Sequence, residues 1–256
     1  MKATLTVLGS GTSMGVPTIG CDCAVCHSSD PRDKRTRPSI MVEYDGKLVL
    51  IDTTPDFREQ AIRENVTHVD AVVYTHTHAD HILGIDDLRP LSFHRPARIP
   101  LYAKPEAAEF LRNMFRYIFD DDYKFGGIAK VELKDIDGPI ELFGKRFEPV
   151  RVIHGESEIY GYRFGSAAYL TDFSAIPETS FPQLQDLDIL FLDALRHKPH
   201  PTHSTVENSL RIAERLKPKR AFFTHICHDL PHEATNATLP ENVRLSYDGM
   251  KLEFEI

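Results

Sequence analysis

The chain has 256 residues, 41% of them hydrophobic and 27% charged, with 38 acidic against 30 basic side chains. This is globular composition without low-complexity tracts, and no run approaches the roughly 18 apolar residues that cross a bilayer, so disorder and a membrane span are disfavoured. A net charge of -8 argues against a long nucleic acid or an anionic membrane as partner; one cytoplasmic domain over residues 1–256 is expected.

In chain order, residues 3–9, 39–44, 47–52 and 70–75 read as strands from their apolar and β-branched content, and residues 55–66 as an amphipathic helix with Pro55 near its first turn. Residues 86–93 read as a helix or structured loop, 99–104 as a strand and 105–119 as one helix with apolar positions three and four apart. Strands follow at 146–155, 159–165, 167–172 and 188–195, then a helix at 204–217 and strands at 220–226 and 251–256. No repeat of 20 to 50 residues is present, which excludes solenoids and propellers. Strands alternating with helices in both halves imply an α/β sandwich in which mixed sheets are covered by helices.

Of the 13 histidines, eight cluster at 76 to 81, 197 to 203 and 225 to 228, each group following a predicted strand, with His154 between the groups. Strand ends are where layered α/β proteins display ligands. The segment THTHADH offers His76, His78, Asp80 and His81, and two ions can be held side by side if the first two ligands face one way and the last two another. Imidazole and carboxylate ligands suit zinc, manganese or iron. Three of the four cysteines, Cys21, Cys23 and Cys26, fall within six residues; that crowding fits a metal site in a reducing compartment better than a disulfide framework, and its fourth ligand must come from afar.

With THTHADH in place, the sequence resembles the metallo-β-lactamase superfamily over essentially its whole length. Its further signature positions appear in order as His154, Asp172 and His225. The resemblance implies an αββα sandwich of two mixed β-sheets flanked by helices. It also implies two divalent ions, zinc or manganese, one held by His76, His78 and His154, the other by Asp80, His81 and His225, with Asp172 shared. Departures narrow the branch. His78 stands where the diiron relatives carry Glu, the interval from Asp172 to His225 is too short for the inserted cap of the large nucleases, and that from His154 to Asp172 holds no RNA-binding arm.

The Cys triplet resembles the structural zinc site of the phosphonate-pathway cyclic phosphodiesterase branch, where a histidine three residues after the last active-site His completes the set. His228 matches that position, with Cys227 as a rival. By the same resemblance His203, which precedes Ser-Thr at a helix start, is the general acid, and Asp80 joins it as a catalytic residue. A His in such a place can protonate a leaving alkoxide and meets an anionic phosphate at the helix N-terminus. His197 and His200 are expected to play no such part. Asp52 matches a carboxylate that orients a metal-binding histidine through its other ring nitrogen. Ser10, Thr12 and Ser13, in a glycine-rich loop that is not a P-loop, give only a weak anion-binding signal.

A dinuclear phosphodiesterase is expected, working by attack of a metal-bridging hydroxide with His203 as acid, and the resemblance implies small cyclic ribose or nucleotide phosphates as its substrates. A lactone or thioester hydrolase on the same metals is the enzymatic alternative, and an accessory metal-binding protein of cofactor biosynthesis the non-enzymatic one. A homodimer is left open by the sequence.

Overall fold

Strands carry most of the regular structure. In the computed structural model, which describes residues 1–93, 95–120 and 126–256, they are β1 (Lys2–Gly9), β2 (Ser39–Tyr44), β3 (Lys47–Ile51), β4 (Ala71–Val73), β5 (Ile99–Ala103), β6 (Val131–Asp135), β7 (Ile140–Leu142), β8 (Lys145–His154), β9 (Ser157–Phe164), β10 (Ala167–Leu170), β11 (Ile189–Asp193), β12 (Arg220–Thr224), β13 (Val243–Leu245) and β14 (Lys251–Glu255). The helices are α1 (Phe57–Arg63), α2 (Ala79–Ile82), α3 (Arg89–Ser92), α4 (Pro105–Met114), α5 (Arg116–Phe119), α6 (Val206–Leu216) and α7 (His232–Asn236). None of the described helices is long and apolar enough to cross a membrane.

The strands form two seven-stranded sheets, β14-β1-β2-β3-β4-β5-β6 and β13-β12-β11-β10-β9-β8-β7. Both are mixed: β3 to β6 run parallel in the first and β10 to β13 in the second, while the remaining pairs are antiparallel. A core of Leu5, Val42, Val49, Phe147, Tyr162, Phe164 and Phe191 fills the space between the sheets. On its outer face the first sheet packs against α1 and α4 through Phe57, Ala108 and Leu111, and the second against α6 through Val206, Ile212 and Leu216. The result is the four-layer αββα sandwich, and its covered parallel strands explain why β11 is buried at every position.

Local departures from the sequence reading have physical causes. The first helix starts at Phe57, two residues after Pro55. The expected 105–119 helix breaks at Phe115, whose φ of -107° and ψ of 39° separate α4 from α5. Residues 86–93 resolve into a 3-10 turn ending at Leu88 and the short α3.

Candidate metal centre

Because β8 and β10 both pair antiparallel with β9, they run the same way, and the carboxyl ends of β8, β10, β11 and β12 share one edge of the second sheet. His154, Asp172, Asp193 and His225 sit at or just beyond those ends, while Asp52 and the 76–81 segment follow β3 and β4 in the first sheet. The strand ends set the positions, and tight backbone turns set the directions. Asp52, Asp172 and His225 have φ of 67°, 54° and 57°, conformations that cost non-glycine residues of order 1–3 kcal/mol and mark functional sites. α2 is held against the Asp52 loop by the Thr53 N–H donating to the His81 carbonyl at 2.8 Å and the Gly84 N–H to the Thr53 carbonyl at 2.9 Å. A Cβ on Gly84 would lie 2.0 Å from the Thr54 carbonyl oxygen, so that approach requires glycine.

The structure brings all seven expected side chains together in two groups. Ligand atoms of His76, His78, His154 and Asp172 lie within 4.8 Å of one another, as do those of Asp80, His81, Asp172 and His225, and Asp172 belongs to both. The His81 Nε2 is 3.3 Å from both Asp80 and Asp172, and the His225 Nε2 is 3.2 Å from Asp172. Yet His76 Nε2, His81 Nε2, His225 Nε2 and Asp80 Oδ2 are buried without a properly formed hydrogen bond. Buried polar atoms that converge unpaired are costly unless a cation completes them, so this donor set fits divalent ions.

Charge in the cluster fits the same conclusion. Burial pushes His76 well below the ordinary imidazole range and His154 down to about 4, which favours the neutral form that ligates metals. For His225 burial acts downward too, but the Asp172 and Asp80 carboxylates outweigh it and raise the group to about 9. The carboxylates thus draw protons where a cation would otherwise stand.

Beneath these donors lies a hydrogen-bonded layer. Asp52, fully buried, meets His81 Nδ1 at 2.7 Å and accepts from the Thr75 N–H and hydroxyl at 2.8 Å each. His154 Nδ1 donates to the Thr202 carbonyl at 2.8 Å. Both arrangements leave the opposite ring nitrogen for the centre.

His203 stands beside the cluster, its ring stacked on His225 with 4.5 Å between centroids and its Nδ1 2.8 Å from Asp193 Oδ2. Asp193 is completely buried and also accepts from the Phe173 N–H at 3.1 Å. Sequence reasoning missed Asp193. It closes the apolar run ILFLD, and the signal that could have found it is its place at a strand end, the same that marks His154 and His225. His200 packs against His203 at 5.0 Å, while His197 is exposed and pairs with Glu207. In the glycine-rich loop, Ser10 is bound to Asp248 and the Thr12 N–H to the Ile226 carbonyl; Ser13 reaches the active-site cleft.

A second cluster joins the N-terminal loop to the loop after β12. The Nδ1 of His228 lies 3.2, 3.6 and 3.4 Å from the sulfurs of Cys21, Cys23 and Cys26. Tetrahedral zinc, with Zn–S of about 2.3 Å and Zn–N of about 2.0–2.1 Å, places N and S roughly 3.6 Å apart, so the cradle suits that ion. Between the two candidates for the fourth position, His228 meets the thiols; Cys227 is buried apart, its sulfur accepting from the Asp229 N–H at 3.3 Å. Arg35, with no exposed side-chain surface, fastens the same two loops by donating to the Cys227 and Leu230 carbonyls and pairing with Asp33 at 2.9 Å.

Fold and site together define a metal-dependent hydrolase, and the chain belongs to the beta-lactamase superfamily, whose domain profile matches residues 47–226. More narrowly, the crystal structure of "a New Diphosphatase from the PhnP Family" superposes with a TM-score of 0.95 at 66% identity, covering 100% of this chain and 98% of that one. An octanoyltransferase of Porphyromonas gingivalis is 37% identical over 250 residues, 96% of this chain but 50% of that protein, so the chain spans half the length of this relative. Zinc-bound PqqB from Methylobacterium extorquens shares the fold, with a TM-score of 0.81 at 19% identity over 97% of this chain and 99% of that one.

Proposed function

We propose that the chain is a dinuclear metal-dependent phosphoesterase that hydrolyses a small phosphodiester, cyclic or diphosphate-linked, with His203 as general acid. The observation that carries this reading is the Asp193–His203 pair, 2.8 Å apart, standing beside seven converging metal donors. His76, His78 and His154 would hold one zinc or manganese ion, and Asp80, His81 and His225 the other, with Asp172 between them. Ions bound there supply Lewis acidity toward the phosphoryl oxygens and the attacking water.

The chain's own residues then handle geometry and the proton. Asp52 and the Thr202 carbonyl fix the rings of His81 and His154. Asp193 accepts from the Nδ1 of His203, which fixes the tautomer and stabilises the imidazolium. As the oxygen of the attacking water, its proton given up to solvent, bonds to phosphorus and the ester bond breaks, the Nε2 proton of the His203 imidazolium passes to the leaving oxygen and leaves the ring neutral. A leaving alkoxide needs that proton most, and a leaving phosphate less. The relation to a PhnP-family diphosphatase at 66% identity supports phosphoryl over acyl transfer and is the reason to test diphosphate linkages as well as cyclic esters. The Cys21, Cys23, Cys26 and His228 cradle would hold a structural zinc that staples the N-terminal loop under the loop carrying His225. The test is turnover of 2′,3′-cyclic AMP and ADP-ribose with added manganese or zinc, by the wild type and Asp80→Ala. Hydrolysis of either one, lost in the variant, is expected; turnover confined to lactones or thioesters would overturn the reading.

A further inference from the structure

The cleft over the metal donors has a volume of about 840 Å³ and extends well past them to a wall made by α4 and the start of β9. That is near the upper end of the roughly 300–1,000 Å³ of small-molecule sites, more than a phosphoryl group requires. On this wall lie Ala107, Phe110 and Ile159. α4 already buries one face in the core through Ala108 and Leu111, so Phe110 is apolar surface beyond what packing demands, and 47% of it remains exposed. The same end of the cleft is lined by Glu106 of α4 and by Glu156 and Glu158 at the start of β9. Among the described residues Lys104 is the one Lys or Arg lining the cleft, and it is 3.8 Å from Glu158 and 4.0 Å from Glu106, so its charge is already countered.

An aromatic face in a carboxylate-rimmed wall repels further phosphates and suits a neutral, planar group with amino donors. From this geometry we infer that Phe110 forms a nucleobase subsite: the substrate carries a nucleoside, its base stacked on Phe110 and its amino group offered to the glutamates while the phosphoryl group meets the metal donors. An amino-bearing base such as adenine supplies both the π-face and the N–H donors. The inference rests on the phosphoesterase reading and refines it, because it separates nucleotide substrates from simple ribose phosphates.

The test is calorimetric binding of AMP and of ribose 5-phosphate, which differ by the base, to the metal-loaded wild type, Phe110→Ala and Ile62→Ala. Hydrolysis of bis(p-nitrophenyl) phosphate is followed in parallel as the separate report on the phosphoesterase reading. Base stacking on an aromatic side chain corresponds to about 5- to 150-fold in affinity. The wild type is expected to prefer AMP by a factor in that range, Phe110→Ala to bring the ratio toward one, and Ile62→Ala, a truncation at an exposed position on α1, to preserve it. Equal binding of the two ligands by the wild type, or an AMP preference that survives Phe110→Ala, overturns the subsite even when bis(p-nitrophenyl) phosphate is hydrolysed. A Phe110-dependent AMP preference without that hydrolysis supports the subsite and sinks the phosphoesterase reading alone.

Discussion

Replacing Asp193 by Asn probes the proton-handling half of the site without touching any of the seven metal donors in the two groups. Asp193 Oδ2 accepts from His203 at 2.8 Å and from the Phe173 N–H at 3.1 Å, whereas its Oδ1 is buried without a partner. An Asn with its carbonyl oxygen in the Oδ2 position keeps both hydrogen bonds and loses the negative charge. Hydrogen bonds to charged groups contribute about 1.5–3 kcal/mol and neutral ones about 0.5–1.5, so the substitution withdraws roughly 1–2 kcal/mol from the imidazolium. That corresponds to about a 5- to 30-fold loss in rate. His203→Ala removes the proton donor itself and should cost about 10²- to 10⁴-fold. The assay is kcat/KM across methyl aryl phosphates, from p-nitrophenyl to unsubstituted phenyl, since a poorer leaving group depends more on protonation. Both losses should grow toward the phenyl ester, with Asp193→Asn the milder at every point. A loss that is uniform across the series would refute general-acid catalysis by His203.

Other consequences concern the scaffold. Arg35→Met leaves Asp33 and two buried carbonyls without their donor; breaking such a buried pair costs about 3–5 kcal/mol, and calorimetry should show Tm lowered by roughly 6–20 °C. His228→Ala should reduce the zinc retained after mild chelation by one ion per chain, as read by elemental analysis, whereas Cys227→Ala should retain it. His232 is 3% exposed, and burial, with Arg32 and Arg35 adding to it against Asp30 and Asp33, lowers it from 6.5 to about 4. Below pH 6.5 the unfolded chain takes up a proton that the folded chain refuses until about pH 4, so stability falls through that window by up to about 3 kcal/mol and is flat above it for this group. Denaturant titrations of His232→Phe should show a correspondingly shallower acid loss; an unchanged slope between pH 6.5 and 4 would count against this assignment.

What the sequence made legible follows from how local each signal is. THTHADH compresses four donors into six positions, 76 to 81, and His154, Asp172 and His225 each follow a strongly apolar strand, so pattern and spacing sufficed to collect them. The paired sheets were readable because their central strands are long apolar runs. By contrast β6, VELKD with only Val131 buried, and the three-residue β7 and β13, IEL and VRL, do alternate apolar and polar residues, but they are too short or too exposed for that pattern to stand out from a loop. Asp193 carries no motif of its own, and its role arises from a contact with a side chain ten positions away across a loop. Arg35 reads as one more surface charge in a basic stretch, and only the meeting of two distant loops buries it. The wall containing Phe110 was likewise invisible, since a second apolar face on a helix is indistinguishable in sequence from core.

If two ions in the donor cluster drive phosphoester hydrolysis, as the proposed function requires, one titration shows it directly. Apo protein is reconstituted stepwise with manganese, with zinc retained in the cysteine cradle, while bound metal and hydrolysis of bis(p-nitrophenyl) phosphate are measured together for the wild type and Asp80→Ala. Activity should rise to a plateau at two manganese ions per chain and be lost in Asp80→Ala, which should hold fewer. A wild type that binds both ions and leaves the ester intact, while hydrolysing a lactone or thioester, would contradict the claim.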